Sequence, residues 1–410
     1  MTNLLWPGDQ RAGELMSDAA LLASMVAVES AWLEALVAAG LAPDDCTGAD
    51  LAGLVSAGDA ELLAVNSEDG GNPAVALVAL LRDRASGQVS RWIHRGLTSQ
   101  DVIDTALMLA TRAAVDELMS ELAEQISALS VLATTHRGTA MVARTLTQHA
   151  VPMTFGVKAA TWCNGVVDAY QQLGVLTIPV QIGGAGGTLA AATELATLQP
   201  GHKGIPLELA HTVAATLGLD MRPPWHTARA PVTAIGDALV GCTDAWGRIA
   251  SDVVTLARPE IAELGEPATG QRGGSSSMPQ KRNPVLSILI RRAAISAPPL
   301  AATLHTAAAL ANDERPDGGW HAEWDTLRTL ARRTVVAASQ CSELLAGLEV
   351  HSEQMAENLE HASASNDVLG EQRVIAEMVG KAPSSNYFGA VDALIDESLD
   401  RATRTVKERP

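Results

Sequence analysis

Between Val232 and Leu256 apolar side chains recur in alternating steps of three and four, at Val232, Ile235, Leu239, Cys242, Trp246, Ile249, Val253 and Leu256, before Pro259 closes the run. Pro231 suits a first helical turn, where its missing N–H would have no partner in any case, so the spacing predicts a helix over 231–257. A seam of this kind lets a helix lie nearly parallel to its neighbours, as in a bundle. A second long helix is predicted from "LTSQDVIDTALMLATRAAVDELMSELAEQISALSVLATTH", where Thr98 and Asp101 form a capping start signal. A third is predicted from about Val285 through "LSILIRRAAISAPPLAATLHTAAALAND", kinked at Pro298 and Pro299.

The ends read differently. Residues 1–92 hold shorter helical patterns, "SDAALLASMVAVESAWLEALVAAGL" and "NPAVALVALLRDRAS", separated by turns such as "NSEDGGNP". From about 345 the chain becomes polar and its period shortens. The expected organisation is therefore an N-terminal helical domain (1–92), a central long-helix bundle (93–344) and a short C-terminal helical domain (345–410). Helices longer than a small domain can cover point to further subunits completing the bundle.

Composition sharpens this into an all-α fold, since Ala and Leu dominate while Phe and Tyr number two each, a poor supply for a sheet. With 410 residues, 47% of them hydrophobic, the chain can bury a large core. A formal charge of −18 argues against nucleic-acid or anionic-membrane partners, which need a basic face. Cys46, Cys163, Cys242 and Cys341 are scattered without a C-x-x-C pair, so neither a metal site nor a disulfide frame is expected. No leader pattern opens the chain and no apolar run is expected to reach membrane-spanning length, which suggests a soluble cytoplasmic protein.

Four polar segments interrupt the apolar pattern. "HRGLTSQD" (94–101) sets His94, Thr98, Ser99 and Gln100 at a helix N-terminus, where N–H groups favour an anion; a plain N-cap is the alternative. "ARTLTQHAVPMTFG" (143–156) places Arg144, Gln148 and His149 in a polar patch of an otherwise apolar helix that Pro152 interrupts, and a satisfied core histidine is the alternative there. "GGSSSMPQKRNP" (273–284) must be a loop, since Gly273, Gly274, Pro279 and Pro284 would break any regular element. "NDERPDGGWHAEW" (312–324) brackets His321 and Glu323 with Trp320 and Trp324, which packing alone could explain. The glycine-rich "QIGGAGGT" (181–188) lacks the preceding strand and the GK[ST] ending of a nucleotide loop, so close backbone approach is the better expectation.

"GSSSMPQKRNP" resembles the GSSxMPxKxNP signature of the fumarase/aspartase superfamily at every fixed position, and "GLTSQD" and "RTLTQHAVPMTFG" resemble its first and second regions in the required order. "HRGLTSQDVIDTA", "TQHAVPMTFGVKAA", "GGAGGTLA", "PPWHTAR" and "ERPDGGWHAEW" are most similar to its 3-carboxy-cis,cis-muconate cycloisomerase branch, which acts in protocatechuate breakdown. The resemblance implies a homotetramer with sites built from segments of three chains, a small tricarboxylate substrate, and no metal or organic cofactor. It implies that Ser275 is the acid/base, with Lys281 and Asn283 on substrate carboxylates, Arg229 and Arg315 at further anion positions, and Thr98 and Ser99 at the helix start, beside His94 and Gln148. Many superfamily lyases carry a histidine in "RTH", where this chain has Leu146. On a helix, His149 three residues on would share that face and could take over as a catalytic group. The other readings are a fumarate-releasing lyase on a substituted succinate, adenylosuccinate-like or nitrosuccinate-like, and a catalytically silent structural protein, against which Ser275, Lys281 and Asn283 speak.

Overall fold

The computed structural model describes residues 3–199, 205–267, 272–275, 277–278, 280–365 and 367–408. The chain is all-α in character, 66% helical. It opens with α1 (Asp18–Ala38), α2 (Asp59–Gly70), α3 (Pro73–Arg84) and α4 (Gly87–Trp92), then the long α5 (Ser99–Thr135). A hairpin of β1 (Ala140–Thr145) and β2 (Gln148–Thr154) leads into α6 (Phe155–Gly174), α7 (Ala190–Thr197) and α8 (Ile205–Leu217). Next come α9 (Ala230–Leu256), β3 (Leu264–Gly265), α10 (Val285–Ala309), α11 (Gly319–Ala346) and β4 (Glu349–Val350), the last pairing antiparallel with β3. The chain ends in α12 (Ser352–Ser365), α13 (Gly370–Met378) and α14 (Val391–Lys407).

Two of the three long helices read from the sequence form within a residue or two of their expected ends, while that of α10 starts at Val285 as expected, continues through Pro298 and Pro299, and ends at Ala309, short of the expected Asp313. Two readings are corrected. Where a helix was expected over 143–156, residues 140–154 form a hairpin and only 155–156 are helical, as the start of α6; and the stretch before Gly71 belongs to α2, so only its last residues turn. The chain forms two compact units, each assembled from separate segments. The first comprises 1–117, 176–237 and 299–333; the second comprises 118–175, 238–298 and 334–410.

The first unit buries Trp32, Trp225 and Trp320 with an apolar face of α1 that includes Leu33 and Leu36. The second is keyed by a buried polar contact: Trp246 Nε1 of α9 donates to Gln125 Oε1 of α5 at 2.6 Å, and Gln125 Nε2 donates to Ala338 O and Ser342 Oγ of α11 at 3.1 and 3.0 Å. Three helices are thereby fixed in register by one amide, because any slip leaves a buried polar group unpaired. Another expectation needs correction: α1 and α10 are long and apolar enough to cross a membrane by length and composition. Of the apolar window of α1, 56% is packed inside the protein, as in the core helix of a soluble protein. All four cysteines are free and buried, and burial pushes the Cys242 thiol up to about 12.

Candidate active site

In the first unit the start of α5 is built as the sequence suggested. Thr98 N donates to Asp101 Oδ2 at 2.9 Å, the side-chain-to-backbone half of the capping pattern. Asp101 is fully buried and its carboxylate also accepts from Gly183 N at 2.8 Å and Gly184 N at 3.0 Å. The glycine-rich run thus cradles a carboxylate of its own chain. A Cβ on Gly183 would stand 2.4 Å from His226 Cε1 and 2.8 Å from Pro224 Cβ, which is why the backbone there carries no side chain.

Thr98 Oγ1 accepts a short hydrogen bond from the Arg315 guanidinium, and Arg315 lies 5.8 Å from the Trp320 ring centre. Two residues singled out from the sequence therefore meet here. Ser99 opens α5 beside them in the chain. His94 has a left-handed backbone, φ 64°, and its Nδ1 lies 2.6 Å from Glu29 Oε1. His321 lies against Trp324, ring centres 4.7 Å apart, and is exposed.

Arg229 is placed otherwise than a free anion binder would be. It is 3% exposed, with bonds to Asp104 at 2.7 and 3.1 Å and to Glu323 at 2.6 to 3.2 Å, and it packs over Trp225 at 4.7 Å. Trp320 Nε1 adds a bond to Asp104 Oδ1 at 2.8 Å. Burial works to lower the Arg229 pKa, but Asp104 and Glu323 outweigh it, so the group stands above its ordinary value. Burial raises the Glu323 carboxyl, with Arg229 opposing and Asp104 adding to the rise. Sequence reasoning gave Asp104 no role, since its partners are 125 and 216 residues away.

In the second unit Ser275 stands on the signature loop with its Oγ accepting from Met278 N at 3.2 Å and Ser277 N at 3.4 Å. The loop is pinched at its neck: Asn283 N donates to Gly273 O at 2.8 Å and Asn283 Nδ2 reaches the same oxygen at 3.1 Å. Gly273 has φ 77°, and a Cβ there would meet Asn283 O at 2.6 Å, so only glycine closes this neck. Lys281 is exposed, and Glu266 caps α10 through Leu286 N and Ser287 N at 2.9 and 2.7 Å. Ser276 and Pro279 of the signature lie outside the described residues.

The hairpin pairs Arg144 with His149 and Thr145 with Gln148, leaving Leu146 and Thr147 as a two-residue turn with φ 47° and 72°. His149 therefore sits across from Arg144, and the helical face once expected for it with Leu146 does not exist. Arg144 is clamped to the buried Glu263 at 2.7 and 3.0 Å, and Asn358 Nδ2 donates to Glu263 Oε1 at 2.8 Å. Gln148 is exposed and donates to Thr147 Oγ1 at 3.1 Å, while Leu146 at the apex is 95% exposed. Glu263 and Glu29 escaped notice in the sequence; the signal for Glu29 was a lone charge inside "SMVAVESAWL". Among the described residues no cluster of His, Cys, Asp and Glu is arranged to hold a metal ion.

Comparison with known proteins gives these features a context. A family model described as "Lyase" matches residues 24–298. Nitrosuccinate lyase from Streptomyces davaonensis is 41% identical over 401 residues, 95% of this chain and 82% of that protein. A 3-carboxy-cis,cis-muconate cycloisomerase from Bradyrhizobium diazoefficiens is 38% identical over 384 residues, 91% of this chain and 82% of that protein. Among solved structures, the 3-carboxy-cis,cis-muconate lactonizing enzyme from Pseudomonas putida superposes with a TM-score of 0.80 at 28% identity, covering 96% of this chain and 97% of that one.

Proposed function

The chain belongs to the fumarase/aspartase superfamily of lyases and is an enzyme of the lyase type, and on that footing we infer that it lactonises 3-carboxy-cis,cis-muconate by acid/base catalysis without a cofactor, in the breakdown of protocatechuate. The observation that carries this reading is the setting of Ser275, an oxygen on a glycine-necked loop at which two backbone N–H groups converge. A serine hydroxyl gives up its proton only if the alkoxide left behind is stabilised, and preorganised N–H dipoles do that.

One carboxylate oxygen of the substrate adds to the conjugated double bond, forming the C–O bond of the lactone. The displaced electron pair collects in an aci-carboxylate at the neighbouring carbon, and Ser275 delivers the proton there. Lys281, Asn283, Arg315, Thr98, Ser99, His94 and Gln148 hold the carboxylates; cations near the aci-carboxylate favour it over the ground state. Arg229 acts one step back, as the counter-ion that sets Asp104 and Glu323. His149 shares the acid/base work from the hairpin. The enzyme works in the cytoplasm as a homotetramer whose sites draw segments from three chains.

A second reading, release of nitrite and fumarate from a nitrosuccinate-like substrate, is favoured by the 41% identity to nitrosuccinate lyase. Leu146 at the hairpin apex fits either reading and neither needs a histidine there: in lactonisation the carboxylate adds as an anion and no group leaves, and nitrite is a weakly basic anion that leaves without protonation. An amine leaving group, as in an adenylosuccinate-like substrate, would require a proton donor and is disfavoured.

Purified protein is mixed with 3-carboxy-cis,cis-muconate and the loss of diene absorbance followed, with Ser275→Ala as control; nitrosuccinate is assayed in parallel for nitrite. Fast diene loss absent from the Ser275→Ala protein supports lactonisation, and nitrite release with an unchanged diene replaces it with the second reading. Near-normal turnover by Ser275→Ala removes Ser275 from the mechanism.

A further inference from the structure

Glu29 is a carboxylate with no exposed surface in the middle of α1, among Met25, Val26, Val28, Trp32 and Leu33, all buried. Such a group is costly to hold in an apolar core, and a core position without a task is filled more cheaply by a hydrocarbon. Its pairing is also incomplete. Oε1 lies 2.6 Å from His94 Nδ1, while Oε2 has no hydrogen-bond partner among the described residues. Asp101, by contrast, has both oxygens bonded.

The main chain around His94 is gripped on both sides. Arg82 Nη2 donates to Ile93 O at 2.8 Å, and Trp32 Nε1, one turn beyond Glu29 on α1, donates to Arg95 O at 2.6 Å. Between these anchors His94 adopts its left-handed φ of 64°, a conformation a non-glycine residue keeps only where its surroundings impose it. Burial depresses the Arg82 pKa, Arg95 adds to that, and Glu29 partly offsets it, so the cation's charge is felt by the same carboxylate. The His94 side chain is 18% exposed, whereas Glu29 is sealed off. Solvent and ligand can therefore reach the imidazole but not the group that holds it. Four residues on, Thr98 immediately precedes α5 with its hydroxyl bonded to Arg315.

We propose that Glu29 is a positioning residue which accepts the Nδ1–H of His94 and so turns Nε2 of that ring toward a carboxylate or leaving anion of the substrate. An ionised carboxylate only accepts, so the proton of the pair is on Nδ1 and the second ring nitrogen is the one presented. The orienting partner of a working histidine acts this way, fixing tautomer and angle without touching substrate. This proposal rests on the functional reading above for the identity of the substrate, but its geometry can be tested without turnover.

In histidine-nitrogen-15-labelled protein, the His94 signals are identified by their loss in His94→Gln. They are expected to show the Nδ1-protonated form in the wild type and a change of form in Glu29→Leu. An Nε2-protonated His94, or the same form with and without Glu29, overturns the proposal. In kinetics on whichever substrate the wild type turns over, Glu29→Gln, which keeps shape and loses charge, should lower kcat/KM by about 10- to 100-fold. The loss should lie in kcat, and the same substitution in a His94→Gln background should add less than about twofold. An undiminished loss in that background shows a purely structural Glu29. If neither substrate reacts, the functional reading fails while the tautomer measurement still decides this proposal.

Discussion

Every N–H of the Arg229 guanidinium has a protein acceptor, and both of its carboxylate partners are buried. Arg229→Met should therefore destabilise the first unit by about 3–5 kcal/mol, because it strands two buried charges; urea unfolding measures it, and a loss below 1 kcal/mol would show the cluster to be solvated. Glu323 gives a pH signature. Its folded pKa is raised above the unfolded value, chiefly by burial, so its contribution is full below the ordinary carboxylate range and is lost as pH rises through the folded value. The stability advantage of the wild type over Glu323→Gln should shrink as pH rises above the ordinary carboxylate range, and an advantage that grows would reverse the sign of the shift. At this scale the sequence was legible where residues are neighbours: Thr98 and Asp101 announce a cap and form one. It was silent on Asp101 holding Gly183 and Gly184, because nothing local marks a partner 82 or 83 residues away.

The hairpin shows where local pattern misleads at the level of an element. A two-residue turn with both residues left-handed is usually announced by Asn-Gly, and Leu146-Thr147 hides it, so the apolar spacing on either side reads as an interrupted helix. Leucine and threonine each pay a steric cost in that conformation. Replacing the pair with Asn-Gly should raise stability by about 1–2 kcal/mol and the melting temperature with it; no gain would mean that tertiary contacts of Leu146 or Thr147 offset the strain. The long helices had no such ambiguity. The α9 seam of threes and fours has one periodic solution, and the helix runs from Ala230 to Leu256 as that pattern requires. The signature loop was equally legible as a loop, though not its neck, which depends on Asn283 returning to Gly273.

For the molecule as a whole, α10 carries the test of assembly. Ile288 and Ile295, seven residues apart, are 47% and 71% exposed, and only 33% of the helix's apolar window is buried within the chain. Further copies covering this stripe in the proposed tetramer predict a solution mass near four times the 42.7 kDa chain, with Ile295→Asp reducing it. A monomeric mass for the wild type in light scattering at micromolar protein contradicts the tetramer. The sequence by itself determined the helical class, the three long helices, and membership of a superfamily through one contiguous eleven-residue signature, because each of these is written in near neighbours: a period, a cap, a loop composition. The tertiary structure alone decided that 140–154 is a hairpin, that Arg229 is spent on Asp104 and Glu323, that Glu29 holds His94, and that the compact units are assembled from separated segments. Those outcomes depend on which distant side chains share one buried volume, where an unpaired charge or polar group costs more than local preference can supply.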